Sequence, residues 1–164
     1  MNKAFAILVL SLPLAFPAAG EERQNFFDDP FVQVTGAMAS CPVPEGPLLT
    51  QAEFREAAHV RAQHGTSCYY SGRCRLANSY LYDKEIVPRV KQYILRDGRF
   101  DNTSIWVLGQ RRLVTLMGCV QTREQAEALE KSVMLVDDVM NVVNQLMVGT
   151  QGTPPYKPAA AAQH

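Results

Sequence analysis

The most informative segment of the sequence is Arg112-Leu113-Val114-Thr115-Leu116-Met117-Gly118-Cys119-Val120. Its even-numbered positions from Val114 onward are apolar, apart from Gly118, and this period of two is that of a β-strand with one buried face. Shortly after it, Thr122 is followed three residues later by Gln125, which is the capping-box pattern that begins a helix. The segment therefore predicts a strand that leads directly into a helix.

The predicted helix carries an apolar stripe, and a second strand follows it. The stripe consists of Ala126, Leu129, Val133 and Met134, and the strand contains Val139, Val142, Asn144, Leu146 and Val148. This unit resembles the BON domain, named for bacterial OsmY and nodulation proteins. The two halves of its signature, V-x-L-x-G-x-V and V-x-x-V-x-N-x-L-x-V, begin here at Val114 and Val139. The resemblance covers about residues 80–149. The family usually has Gly before the second half, and Asp138 at that position can also adopt a left-handed backbone.

The resemblance implies an α+β fold of order αββαβ, with a three-stranded mixed sheet and two helices on one face. A helical stripe at Ile86, Val90, Tyr93 and Ile94 predicts the first helix, from about Tyr82 to Arg96. Residues 103–108 are predicted as the first strand, and Gly109-Gln110 as a two-residue type II′ hairpin turn that pairs Leu108 with Arg111. Gly118 is expected to mark a close approach of a helix to the sheet.

This register places two different apolar sets on the two faces of the sheet. The face expected to meet the helices contains Ile105, Val107, Val114, Leu116, Gly118 and Val120. The second face contains Trp106, Leu108, Leu113, Met117, Cys119, Val143 and Met147. A sheet with only one covered face should be polar on the other. We therefore expect the N-terminal segment to cover the second face, with a docking surface as the alternative.

The chain ends are expected to lie outside the folded domain. Lys3, the apolar residues 4–16 and the small residues 17–20 form the pattern of a secretory signal peptide over residues 1–20, which predicts an exported, soluble periplasmic protein. Residues 21–79 are predicted to be a mostly irregular extension with one helix at about 51–64, because Thr50 and Glu53 form a second capping box. The Pro- and Ala-rich residues 150–164 are predicted to be disordered.

Four cysteines in an exported chain favour disulfide bonds. Cys68 and Cys74 could close a small loop in which Gly72 allows the turn, and this would leave Cys41 to pair with Cys119. Four cysteines allow three pairings, and the sequence does not choose among them. The alternative is a metal or redox site formed by His59, His64, Cys68 and Cys74, but the histidine spacing fits one helix face poorly and no C-x-x-C is present.

Basic residues are concentrated in the middle of the chain, although the formal net charge is zero. Between Arg73 and Arg112 there are nine basic residues against four acidic ones. The candidate lipid-binding residues are Arg89, Lys91, Arg96, Arg99, Arg111 and Arg112. Cations of this kind could contact anionic lipid headgroups, although a solvated charged surface is an equally good interpretation.

No motif for catalysis, phosphate-loop binding or a metalloprotease centre is present in the sequence, so neither an enzyme nor a cofactor is expected. The neutral net charge does not favour nucleic acid as a partner. The resemblance implies a binding module of the cell envelope, found among periplasmic stress and envelope proteins and linked to phospholipid binding. The alternative is a protein-interaction or assembly domain that uses the apolar second face to contact an envelope protein.

Overall fold

The structure, a computed structural model, describes residues 21–160. The predicted signal peptide, residues 1–20, lies outside these residues. The elements in chain order are β1 (Phe31–Gln33), α1 (Gln51–His64), α2 (Ser67–Tyr70), a 3-10 helix (Ser79–Tyr82), α3 (Asp83–Asp97), β2 (Ser104–Gln110), β3 (Leu113–Val120), α4 (Arg123–Met134) and β4 (Asn141–Val148).

The strands form one mixed sheet in the order β1-β2-β3-β4. β2 is antiparallel to both β1 and β3, whereas β3 and β4 are parallel and are connected through α4. The predicted α+β fold is therefore confirmed, with one strand more than expected. The additional strand, β1, belongs to the N-terminal extension, and it pairs Val32 with Val107 along what would otherwise be an open edge of the domain.

The hairpin between β2 and β3 differs from the predicted turn. Gln110 pairs with Leu113, so the two loop residues are Arg111 and Arg112, both with positive φ (58° and 66°), as in a type I′ turn. The predicted Gly109-Gln110 turn was wrong by two residues. Because side chains alternate with a period of two, this displacement leaves each residue on its predicted face.

A buried carboxylate holds the backbone of this turn in its left-handed conformation. The backbone N–H groups of Arg111 and Arg112 both donate to Asp83, at 2.6 and 2.7 Å. Asp83 is the first residue of α3, and its side chain is buried. The contact from α3 therefore stabilises a left-handed turn that the local sequence does not indicate.

The predicted helix-facing side of the sheet forms the main core. Ile105, Val107, Val114, Leu116 and Val120 are fully buried there, and α3 and α4 cover them with Ile86, Val90, Ile94, Leu129 and Val133. The prediction that Gly118 marks a helix contact was wrong. Its φ is 119°, and a Cβ at this position would collide with the Ser104 carbonyl oxygen of the neighbouring strand. The close helix approach occurs at Gly109, where a Cβ would lie 2.6 Å from Val87.

The centre of the second face is covered by the chain itself, as expected, whereas Val143 on the same face is 38% exposed. Trp106, Met117, Cys119 and Met147 are buried beneath Cys41 and Tyr156. A disulfide joins Cys41 to Cys119, with Cα atoms 5.8 Å apart, and so fastens the N-terminal extension to the middle of the sheet. This apolar cluster accounts for the unusual composition of the second face.

Residues 150–160 do not have the disordered character that the sequence suggested. Tyr156 is buried, and its hydroxyl donates to the Pro42 carbonyl oxygen at 2.6 Å. Lys157 forms an ion pair with Glu45 at 2.7 Å, and the Ala159 N–H donates to Val43. The Pro-rich composition was misleading because this segment obtains its contacts from the equally Pro-rich residues 42–47, far away in sequence.

Candidate functional site

The six predicted basic residues do not form one surface. Arg89 and Arg112 converge on Asp138, and Arg99 pairs with Asp97. Among the described residues, Lys91, Arg96 and Arg111 form no ion pair within 4.0 Å. The set therefore divides into cations engaged within the fold and cations that are available to a ligand.

Arg89 and Arg112 stabilise the connection between α4 and β4. Arg89 donates to the Asp138 carboxylate at 3.2 Å and to the Asp137 carbonyl oxygen at 3.1 Å. Arg112 donates to the Asp138 carbonyl oxygen at 2.9 Å, and its guanidinium lies over the Tyr82 ring. Asp138 has a φ of 71°, which confirms the left-handed conformation expected where the family usually has Gly. These two arginines hold a strained turn in place.

Arg99 is also engaged, although at the protein surface. Its guanidinium forms a two-point contact with the Asp97 carboxylate, with one distance of 2.6 Å, and also donates to the Ser132 hydroxyl. The hydrogen bonds from Arg99 lower the pKa of Asp97, and the same contact raises the pKa of Arg99. This contact ties the end of α3 to α4, so a change at Arg99 would disturb the packing as well as the surface charge.

A groove lies between the second half of α3 and the residues that follow α4. We call it the α3 groove. Its volume is about 520 Å³, and it is lined by Arg89, Gln92, Tyr93, Arg96, Asp97, Leu135, Val136 and Asp137. Leu135 is 76% exposed, and Tyr93 is about one-third exposed. The groove thus brings together an exposed aliphatic side chain, an aromatic ring and the unpaired Arg96.

The sequence pointed to part of this groove only. Arg89 and Arg96 were among the predicted cations, whereas Leu135 was not singled out, because one leucine directly after a helical apolar stripe is usually part of the core. The helix period could have identified Leu135. The apolar stripe recurs every three or four residues up to Val133 and Met134, and Leu135, which follows them directly, does not fit this spacing.

Lys91 and Arg111 lie at other places on the surface. Lys91 lines a second groove together with Lys84, next to Asp28 and Asp29. Arg111, in the hairpin turn, lines two other pockets, one beside α1 that contains Glu53 and Glu56, and one beside α2 that contains Arg73. Neither residue is part of the α3 groove.

The described residues contain no group of three or more His, Cys, Asp or Glu side chains placed to hold a metal ion. Cys68 and Cys74, which belonged to the alternative metal set, are joined in a disulfide with their Cα atoms 5.2 Å apart. Both thiolates are therefore removed from that ligand set. Among residues 21–160, no helix combines the length and apolar character needed to cross a membrane.

Comparison with known families identifies the domain that carries the groove. The family model described as BON domain matches residues 82–150, a range that includes α3, the hairpin, α4 and β4. Residues 82–150 form a BON domain. BON domains are non-catalytic binding modules generally associated with membranes or phospholipids. No curated protein matches the chain.

The BON domain begins at Tyr82, so it contains the whole α3 groove but neither β1 nor α1. The first half of the signature lies in the core, where Val114, Leu116 and Val120 are fully buried, whereas Val148 at the end of the second half is 54% exposed. Asn144 of the signature has its amide 2.9 Å from the Glu130 carboxylate, and its carbonyl oxygen accepts from the Leu146 N–H. The buried residues of the signature therefore maintain the fold and are not accessible to a ligand.

Proposed function

We propose that the protein is a non-enzymatic, envelope-associated binding module of the periplasm that contacts anionic phospholipid surfaces through the α3 groove. The observation that carries this proposal is the exposed Leu135 beside Arg96 and Tyr93. Leu135 is 76% exposed and lines the same groove as the partly exposed Tyr93, so the two side chains form a small apolar surface that a partner can cover. The general association of BON domains with membranes supports the same conclusion.

The three side chains suit the boundary between lipid headgroups and acyl chains. Leu135 can insert its apolar end, with a gain of about 1.5–3 kcal/mol if it becomes fully buried. Tyr93 has the apolar body and polar tip that place aromatic rings at the headgroup level. Arg96 adds about 1 kcal/mol as a cation near an anionic surface. Together these contributions give weak, reversible and salt-dependent binding.

Of the six candidate cations, we propose Arg96 as the principal contact. Arg96 lies in the groove and pairs with no carboxylate of the described residues, so its charge is available to a headgroup phosphate. Arg89 lines the same groove and is held in place by Asp138. Arg99 and Arg112 serve mainly to maintain contacts within the protein, and Lys91 and Arg111 lie outside the α3 groove.

Two features support a periplasmic location. Both disulfides are consistent with an extracytoplasmic protein, because cytosolic thiols are kept reduced. The charged, apolar and small-residue pattern of residues 1–20 has the order of an export signal. Retention of both disulfides in protein purified from its native compartment would support this assignment.

The alternative function, assembly through the second sheet face, is less well supported. Its central residues Trp106, Met117 and Cys119 are buried beneath Cys41 and Tyr156. A partner could reach them only after displacing a segment held by a disulfide. The exposed apolar residues of the α3 groove need no such rearrangement.

Vesicle co-sedimentation of the purified protein tests the proposal, using vesicles of phosphatidylglycerol and of phosphatidylcholine at low and high salt. We expect binding to the anionic vesicles alone, decreasing as salt is added. Arg96→Glu changes the local charge by two and should weaken binding by about 30-fold, on the basis of about 1 kcal/mol per charge. Leu135→Ala should weaken it by about 5- to 30-fold through lost apolar burial.

Matched controls separate the groove from general surface properties. Leu81→Ala removes another exposed leucine, and Arg123→Glu reverses another exposed arginine, and neither residue lines the α3 groove. Both control variants should bind as the unchanged protein does. Equal losses in the control and groove variants would show that binding, if present, does not depend on the groove.

A further inference from the structure

A second pocket contains a concentration of positive charge that membrane contact through the α3 groove does not use. It lies between the N-terminal extension and the hairpin turn, has a volume of about 260 Å³, and is lined among others by His64, Ser67, Arg73, Arg111 and Arg112. None of its lining residues is acidic, as far as the described chain shows. We call it the arginine pocket. It shares no lining residue with the α3 groove.

Two of the three arginines have no compensating carboxylate within residues 21–160. Arg112 lies 3.9 Å from the Asp138 carboxylate, so part of its charge is balanced. Arg73 and Arg111 form no ion pair in the described part of the chain. Asp83 accepts from the backbone N–H of Arg111, and Glu53 and Glu56 share a neighbouring pocket with Arg111 but are not within ion-pair distance of its guanidinium. The pocket therefore carries an excess of about two positive charges.

The backbone around the pocket is fixed before any ligand arrives. Arg111 and Arg112 lie on a two-residue turn held by the Asp83 carboxylate. The guanidinium of Arg112 is further fixed by the Tyr82 ring, 4.8 Å away, and by the Cys74 sulfur at 3.2 Å. Arg73 lies within the loop closed by the Cys68–Cys74 disulfide, where its N–H donates to the Cys68 carbonyl oxygen at 2.9 Å. A fixed set of donors binds an anion with a smaller loss of conformational entropy.

We propose that the arginine pocket binds the phosphate group of a small phosphate ester. A phosphate dianion matches the excess charge of the pocket, and its oxygens match the planar donor fork of arginine. The Ser67 hydroxyl, which donates to the His64 carbonyl oxygen at 3.0 Å, lines the same wall. A volume of about 260 Å³ is below the range of drug-sized ligand sites and suits a phosphate with a small substituent.

The same phosphate chemistry is present in a soluble ester and in a phospholipid headgroup. The pocket is partly built from the extension, since His64, Ser67 and Arg73 precede the BON domain. The proposed site therefore belongs to the combination of the domain with its extension, and it does not depend on the membrane contact proposed for the α3 groove.

Isothermal titration calorimetry of the purified protein with inorganic phosphate and with glycerol 3-phosphate tests the proposal. We expect saturable binding of both, weakened about tenfold or more by Arg111→Ala and by Arg73→Ala, because each variant removes a charged hydrogen-bond donor. Arg111→Lys should fall between, since it keeps the charge but loses the planar fork. Arg123→Ala removes a cation outside the pocket and should leave the affinity unchanged.

The variants also distinguish binding at the arginine pocket from general electrostatic attraction of phosphate to the protein surface. Arg73 is exposed, and its replacement leaves the turn at Arg111 intact, so this variant keeps the test valid if Arg111→Ala disturbs folding. The absence of saturable binding, or an equal loss in Arg123→Ala and Arg73→Ala, would overturn the proposal. Competition by phosphatidylglycerol vesicles, measured in the Leu135→Ala background, would assign the phosphate to a lipid headgroup. Binding that such vesicles do not displace would assign it to a soluble ester.

Discussion

Removal of the Cys41–Cys119 disulfide should destabilise the protein more than removal of Cys68–Cys74. The first bridge joins residues 78 positions apart, and the second joins residues 6 positions apart. In the chain-entropy model the two closed loops correspond to about 4.5 and about 2.4 kcal/mol of stability. The difference between the two double variants, Cys41→Ala/Cys119→Ala and Cys68→Ala/Cys74→Ala, should therefore be about 2 kcal/mol. Loss of packing at the buried Cys119 should increase this difference.

The single tryptophan of the chain reports directly on this bridge. Trp106 is 6% exposed and lies in the apolar cluster that contains Cys41 and Cys119. Guanidinium denaturation, followed by Trp106 fluorescence and by circular dichroism, gives the free energy of unfolding of each double variant. In the variant without Cys41–Cys119, the tryptophan emission should also move to longer wavelength before the sheet unfolds. Equal stability losses, or a larger loss without Cys68–Cys74, would refute the conclusion that the extension is fastened mainly through Cys119.

Two further predictions concern buried polar groups. Burial raises the pKa of Asp83 from 3.8 to about 6, so this carboxyl stabilises the fold most fully below pH 4 and loses that contribution as the pH rises through 6. Between pH 4 and 7 this contribution to the free energy of unfolding should fall by about 2 kcal/mol. Asp83→Asn should flatten that part of the curve of unfolding free energy against pH, and an unchanged curve would contradict the assignment. Tyr156→Phe, which removes the hydroxyl and its hydrogen bond to Pro42, should lower the free energy of unfolding by about 1 kcal/mol. Tyr156→Ala should lower it by about 3–5 kcal/mol and expose Trp106 to added acrylamide; equal costs would show that the ring does not cover the sheet.

The sequence was sufficient to predict the elements whose periodicity and caps are local. The alternation through Val114, Leu116 and Val120 placed β3 and its buried face correctly. The helix that follows begins, as predicted, after Thr122, whose hydroxyl accepts from the Gln125 N–H at 3.1 Å. These features depend on residues a few positions apart, so they can be predicted from the local sequence.

The features that escaped prediction depend on contacts between distant residues. β1 has only three residues and no alternating pattern long enough to identify it. The Arg111-Arg112 turn contains no Gly, Asn or Asp, and it exists because Asp83 accepts both N–H groups from 28 and 29 positions away. The order in residues 150–160 depends likewise on Pro42 and Glu45.

In the candidate site, too, local features could be predicted from the sequence and contacts between distant residues could not. The positive charge near Arg96 could be predicted from composition, but its ion-pair state and its proximity to Leu135 could not. Arg89, Arg99 and Arg112 appeared equivalent to Arg96 in the sequence, and only the fold shows that each contacts an acidic residue. A count of basic residues thus overstated the number of side chains free to meet a ligand.

The position of residues 156–159 determines the orientation of the protein when it is immobilised on a flat support through its C-terminal end. Tyr156 packs on the sheet face opposite α3 and α4, and Ala159 is hydrogen-bonded to Val43 on that side. A label or tether attached after this segment would hold the protein by the second sheet face, with the helices and the α3 groove directed away from the support. A surface-immobilised sample prepared in this way should present Leu135 and Arg96 to an added bilayer without obstruction. Attachment through a cysteine introduced at the exposed Gln92 would reverse the orientation and block the groove.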